Sequence, residues 1–441
     1  MIRRLRVPPF DLLRPYLPSR GGADPATRDQ VAGILDAVRQ RGDDAVREYT
    51  REFDAVDLAP DQWELKAQTI HDALDRTLPE LREALGHAVE RVRAYHEWQR
   101  DPGFRLVESD GTLLETRVSP LDRVGLYVPG GKASYPSTVV MTAVPAIVAG
   151  VREVIAVVPP HGVTDAVLAA CALAGVTRIF RIGGAQAIGA LAFGTATIPR
   201  VDKIVGPGNR WVAEAKRQVA GDVGIDMIAG PTEVVILADS TARPERIAAD
   251  LVAQAEHDED ASAWCVTTDE TLAEALPDAL EAALAHAPRM ATARRALERN
   301  GLVVLVPSLR EGIEVVNLRA PEHLEILTEG AERVASAIRH AGAIFLGDDT
   351  PEPVGDYLAG PSHVLPTAGT ARYASPLGVY DFVKRTSLIR YSAERLAADA
   401  SHIVALAEAE GLVGHAEAIR VRLSREGEPG AAAAASRPGE R

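Results

Sequence analysis

The stretch "VREVIAVVPPHGVTDAVLAACALAGVTRIFRIGG", Val151–Gly184, decides the fold. It opens with a run rich in β-branched residues, passes a Pro–Pro turn, continues as the helical "TDAVLAACALAG" and closes with a second strand-like run, "VTRIFRIGG". Strand, helix and strand in this order argue for a parallel sheet covered on both faces. The same texture extends outward. Upstream, "DRVGLYVPGG" (122–131) is an apolar run ending in a glycine turn, and downstream "VDKIVGPGN" (201–209) leads into the helix "RWVAEAKRQVAG" (210–221).

A second series begins with "EVVILAD" (233–239). It passes through the amphipathic helix of "RIAADLVAQAEHDEDASAWCVTTDE", with Ile247, Leu251 and Ala255 on one stripe, to the strand-like "ASAWCVTTD" (261–269). It continues through "ALPDALEAALAHAPRMATARRALERNG" to "LVVLVPS" (302–308), and "AGAIFLG" (341–347) reads as a later strand. Before the first series lie helical stretches at 26–53 and 78–101. From about Tyr373 the chain turns helical again, and its last residues, "REGEPGAAAAASRPGER", have the composition of a disordered tail. The fold class expected is α/β: two Rossmann-like α/β units with parallel sheets, an N-terminal arm and a helical C-terminal tail.

Composition narrows the partners. With 62 acidic against 48 basic residues the net charge is −14, which repels phosphate backbones, and no basic stripe offsets it, so nucleic acid is not expected. The arginine-rich start lacks the apolar segment of a secretory signal. The most apolar region, "STVVMTAVPAIVAG", is too short for a membrane span and carries Pro145. Cys171 and Cys265 both sit in apolar runs, so buried free thiols in a reducing cytoplasm are expected.

Three groups of residues carry chemistry. The glycine turns "VGLYVPGGK", "RIGGAQAIGA" and "IVGPGNRW" each follow a strand run, where open α/β sheets bind ligands, yet none matches G-x-G-x-x-G. Plain tight turns are the competing reading. Possible metal ligands form the second group: Gln254 and His257, three apart near a helix end; Asp356 and His363 in "EPVGDYLAGPSHVLPT"; and Glu410 and His415 flanking a glycine break. Taken singly, each histidine is more often a surface or capped residue. The third is "RAPEHLEIL", where Pro321 reads as a helix start and Glu322 with His323 as an acid–base pair in the first turn. A glutamate is also simply favourable there.

Taken together and in order, "VGLYVPGGKASYPSTVVM", "RIGGAQAIGALAFGT", "DKIVGPGN", "AGPTEVVILAD", "DLVAQAEHD", "RAPEHLEI", "VGDYLAGPSHVLPT" and "AEGLVGH" resemble histidinol dehydrogenase, from about Thr27 to Leu423. The resemblance implies a zinc-dependent enzyme that oxidises L-histidinol to the aldehyde and then to L-histidine with two NAD⁺. Gln254, His257, Asp356 and His415 resemble the zinc ligands, Glu322 and His323 the acid–base pair, and Tyr127, Gln186 and Asn209 the NAD contacts. Thr232, His363 and Glu410 match substrate-side positions, beside the four metal ligands and His323. Thr232 stands where serine is common, with the hydroxyl retained. The implied division is an arm (1–22), a discontinuous α/β domain (23–123 and 233–372), an NAD-binding α/β domain (124–232), a helical tail (373–425) and a disordered end (426–441). The tail is expected to cross to a second subunit, giving a homodimer with shared sites. Rival readings are a related dehydrogenase for another small alcohol, a metallohydrolase that works without NAD⁺, and a metal-dependent binding protein without catalysis.

Overall fold

The computed structural model describes residues 2–17, 24–130 and 135–423. The expected disordered end, and parts of the arm and of the motif at 124–141, lie outside them. The chain divides into two compact units: Met1–Arg100 with Pro120–Lys384, and Asp101–Ser119 with Arg385–Arg441.

The first unit holds two sheets, both parallel. One has six strands in the order Arg3–Arg6, Leu302–Leu305, Ser262–Thr267, Glu233–Ala238, His323–Leu327, Ala343–Leu346. The other has five, in the order Arg178–Phe180, Glu153–Val157, Arg123–Tyr127, Lys203–Val205, Gly224–Ile225. The α/β class expected from the strand–helix alternation is what the chain adopts. Every residue of Glu233–Ala238 and of His323–Leu327 is buried, the signature of central strands covered on both faces. The arm expected at 1–22 is partly a strand: Arg3 pairs with Leu302 at the edge of the six-stranded sheet.

Helices Pro25–Arg41 and Asp43–Asp54 pack against Gly184–Phe193, while Ala67–Arg76 and Pro79–Glu97 pack against Asp165–Ala174 and Pro136–Ala149. Their apolar stripes enter the two cores on either side of the five-stranded sheet. Residues 25–97 thus pack on helices of 124–232. Helices Pro244–Ala255, Glu270–Leu284 and Met290–Asn300 cover one face of the six-stranded sheet, and Leu309–Arg319 with Val7 and Leu13 of the arm covers the other.

Two further readings are corrected. Pro321 does not start a helix. The chain leaves helix Leu309–Arg319 through Ala320 in a left-handed conformation (φ 51°) and enters the strand His323–Leu327. Short apolar "HLEIL" finds ladder partners on both sides, in Glu233–Ala238 and Ala343–Leu346, and that tertiary pairing overrides the local helix signal. Nor is the segment after Tyr373 helical throughout. The strand Val383–Arg390 joins Leu113–Pro120 and Phe104–Val107 in a three-stranded sheet before helices Ala393–Ala409 and Val413–Leu423 complete the second unit. Apolar residues stay exposed on that unit, among them Phe104, Ile389, Leu406 and Val413. Among the described residues no helix is long and apolar enough to cross a membrane.

The turn after Lys203–Val205 is held from beneath by a buried ion pair. Lys216 Nζ bonds Asp226 and donates to Gly206 O at 3.0 Å, and Asp226 accepts the Gly206 N–H at 2.7 Å. Only glycine suits position 206, because φ is +107° and an added Cβ would meet Tyr127 O at 2.4 Å. Lys216→Met should cost about 3–5 kcal/mol by leaving Asp226 buried and unpaired, and Lys216→Met with Asp226→Leu should recover much of it. Urea unfolding midpoints measure both.

Candidate active site

The main cluster forms at the amino ends of two adjacent strands of the six-stranded sheet. Thr232 and Glu233 begin one, Glu322 and His323 the other, and Val234 is the register partner of His323. One residue serves both candidate side chains. The Glu233 N–H donates to Glu322 Oε2 at 2.9 Å, and the Glu233 carbonyl lies 3.1 Å from His323 Nδ1. A carbonyl can only accept, so Nδ1 carries the proton and Nε2 presents a lone pair. That Nε2 is buried and has no partner among the described residues. Burial pushes the His323 imidazole down to about 4, so it is neutral near pH 7 and able to take a proton. Glu322 also accepts from Thr232 Oγ1 at 2.7 Å. Its carboxyl is pushed well above the ordinary range, chiefly by burial.

Glu233 is itself anchored. Its side chain pairs with Arg319, and the Arg319 guanidinium lies over the Trp264 ring at 5.0 Å. Both charged groups are buried. The strand end that orients Glu322 and His323 is thus tied down by an ion pair of the Glu233 side chain.

Above this strand end lies the carboxyl terminus of helix Pro244–Ala255, where Gln254 is fully buried and the His257 N–H returns to the Gln254 carbonyl at 3.4 Å. The helix stops at Ala255, so His257 follows it instead of projecting from its last turn. Donor atoms of His257, Glu352 and Asp356 lie within 4.8 Å of one another, a set able to hold a metal ion. Glu352 also reaches the Gln254 carboxamide, whose terminal atom lies 2.7 and 2.8 Å from its two oxygens. The position favours a cation twice over: the negative end of a helix dipole points at it, and buried acids surround it. His363 lies beside the group, with Nδ1 3.1 Å from Asp356 O, and burial lowers its imidazole.

Sequence reasoning missed Glu352. Its signal was the spacing to Asp356, four residues on, which puts both acids on one face of the short helix Glu352–Tyr357. It also missed Glu325, whose Oε1 accepts the Glu352 N–H at 2.8 Å and so fixes the start of that helix. Glu325 follows His323 by two on the same strand and shares its face.

The residues expected to contact a dinucleotide lie at carboxyl ends of the five-stranded sheet's strands. Tyr127 ends Arg123–Tyr127, and its hydroxyl accepts the Gly184 N–H at 3.1 Å. Gln186 lies in the first turn of helix Gly184–Phe193; it is fully buried, yet neither amide atom has a partner among the described residues. Asn209 caps helix Arg210–Val219, with Oδ1 accepting from Trp211 and Val212 N–H at 3.0 and 3.1 Å, so only its amide NH₂ is free for a ligand. Glu410 and His415 belong to the second unit and are exposed on it; Glu410 ends helix Ala393–Ala409 and His415 lies in the first turn of Val413–Leu423.

The buried acids set a pH dependence. Burial, then the neighbouring Asp250 charge, pushes Glu325 up to about 9. Between pH 7 and 9 the unfolded chain has this group ionised while the folded chain keeps it protonated. Folding then takes up protons, and stability falls as pH rises. Metal-free protein should lose up to about 1.4 kcal/mol per pH unit over this window from Glu325, and Glu325→Gln should remove that slope. Urea unfolding at pH 7, 8 and 9 in the presence of a chelator reads it directly.

Comparison with known proteins adds an independent line. The family model described as histidinol dehydrogenase matches residues 19–423. The histidinol dehydrogenase of Aromatoleum aromaticum is 52% identical over 431 residues, covering 96% of this chain and 98% of its own length. That of Aquifex aeolicus is 49% identical, covering 92% of this chain and 95% of its own. A crystal structure of histidinol dehydrogenase from Elizabethkingia anophelis superposes with a TM-score of 0.90 at 33% identity, covering 96% of this chain and 98% of that one.

Proposed function

The chain belongs to the histidinol dehydrogenase family, and on that premise we propose that it oxidises L-histidinol through L-histidinal to L-histidine, with two NAD⁺ and one zinc ion per site. The observation that carries this reading is the pairing of His323 and Glu322 on the backbone of one residue, Glu233, with the imidazole held neutral and its Nε2 unpartnered among the described residues beside a cluster of metal donors.

His323 Nε2 takes the carbinol proton as the carbon is oxidised, a task suited to a neutral imidazole fixed in one tautomer. The aldehyde must then gain an oxygen. Glu322, held by the Glu233 N–H and the Thr232 hydroxyl, takes a proton from the water that adds, and His323 acts again in the second oxidation. Both steps share one site because the N–H and the carbonyl of Glu233 orient the two groups side by side.

Gln254, His257 and Asp356 supply an amide oxygen, an imidazole and a carboxylate, a donor set that suits Zn²⁺, with His415 as the fourth ligand. When bound, the ion would grip the imidazole and amine of the substrate and fix the carbinol carbon in place. Thr232, His363 and Glu410 complete the substrate contacts. His415 and Glu410 are exposed on the second unit, which supports their donation to the site of a second copy in a homodimer; exposed apolar residues on the same unit support that association.

NAD⁺, when bound, would accept the hydride. The unpaired buried amide of Gln186, the glycine-lined start of its helix and the free NH₂ of Asn209 suit a dinucleotide held against Tyr127. Two buried free thiols fit a reducing cytoplasm.

Addition of L-histidinol and NAD⁺ should yield two NADH per substrate, and a chelator should suppress it. His323→Gln should lower turnover by roughly 10²–10⁴ with zinc content unchanged, whereas His257→Asn should lower both. NADH absorbance and elemental analysis decide, and activity without NAD⁺ would point to hydrolysis instead.

A further inference from the structure

Thr232 Oγ1 lies 2.7 Å from Glu322 Oε2 and 2.7 Å from the Gln254 carboxamide. A hydroxyl has one proton, so it can donate to only one of them. The other end of the carboxamide faces the two oxygens of Glu352 at 2.7 and 2.8 Å. Two hydrogen-bond chains satisfy this geometry, and they run in opposite directions.

In one, the amide NH₂ faces Glu352 and the amide oxygen accepts from Thr232. The hydroxyl proton is then used, and Glu322 is left with the Glu233 N–H, which the amide oxygen shares at 3.3 Å. In the other, the NH₂ donates to Thr232 and Thr232 donates to Glu322, which places the amide oxygen toward Glu352. Acceptor oxygens this close repel unless something positive lies between them. The donor atoms of His257, Glu352 and Asp356 converge on that side, so a divalent cation held there selects the second chain.

We propose that Thr232 is a positioning residue that passes the orientation of the Gln254 carboxamide on to Glu322, so that filling the cation site fixes the water-activating carboxylate. The proposal rests on the reading of this site as a zinc-dependent dehydrogenase. Zinc bound at one end of the chain favours a hydroxyl proton aimed at Glu322 at the other. Linkage makes the effect reciprocal: a change at Glu322 alters zinc affinity, although Glu322 offers no atom to the donor group. The Thr232 methyl plays no part, and serine serves as well.

The test is a double-mutant cycle on zinc affinity, measured on metal-depleted protein by competition with a chromogenic chelator. In Glu322→Leu the Thr232 hydroxyl loses its acceptor and turns to the Gln254 amide oxygen, which reverses the chain, so zinc affinity should fall roughly tenfold, the scale of groups that orient metal ligands. In a Thr232→Val background the same change should leave affinity within about twofold, and in a Thr232→Ser background the tenfold fall should return. Circular dichroism and urea unfolding confirm that each variant is folded, and Thr232→Ala replaces a valine variant that is not. An equal fall in both backgrounds, or no fall in either, overturns the relay. If the unaltered protein binds no zinc, the dehydrogenase reading and the relay fall together; zinc binding without coupling removes the relay alone.

Discussion

The chemistry of this site depends on one short piece of backbone. The Glu233 N–H holds the Glu322 carboxylate, and its carbonyl holds His323 Nδ1. A carboxylate and an imidazole are thus set in register by the two backbone groups of one residue, whose φ and ψ are fixed by strand pairing on both sides. The constraint costs little to maintain, because Glu233 opens a central strand paired on both sides and its side chain is tied to Arg319. Positioning on this scale is where proximity effects in catalysis come from, and it belongs to rigid elements more than to loops.

Electrostatics then decide what the pocket accepts. Glu322, Glu352 and Glu325 are buried close together, and burial heads the causes that raise each of them. Buried carboxylates without a counter-charge are costly, and the end of helix Pro244–Ala255 adds further negative potential. A divalent ion would relieve both, while the neutral imidazole of His323 keeps its Nε2 lone pair. The acids that look like a stability liability are what give the site its preference for a cation.

Much of this was legible in the chain. Alternating apolar runs and helices in "VREVIAVVPPHGVTDAVLAACALAGVTRIFRIGG" carried the parallel sheets, since a central strand shows as a near-continuous apolar run. Gln254, His257 and Asp356 were visible as candidate donors and come together around Glu352. What escaped was set by tertiary context. Pro321 carries a helix-start signal, but the ladder partners of His323–Leu327 lie about 90 residues upstream in Glu233–Ala238 and outweigh it. Glu352 and Glu325 escaped notice because a glutamate announces its burial only through its neighbours. The edge strand Arg3–Arg6 was hidden by its arginines, and the packing of residues 25–97 could not be told from amphipathic stripes alone, which show a helix face but not its partner.

That edge strand has a consequence for how the molecule is made. Arg3 pairs with Leu302, so this strand waits for one synthesised 299 residues later. At roughly 5–20 residues per second this delay is on the order of 15–60 s. Throughout it the neighbouring sheet margin stays open, and Val7 and Leu13, which end up fully enclosed, remain in water. Birth order and assembly order are therefore reversed at this margin, and a nascent chain can join the wrong neighbour there until residues 302–305 emerge.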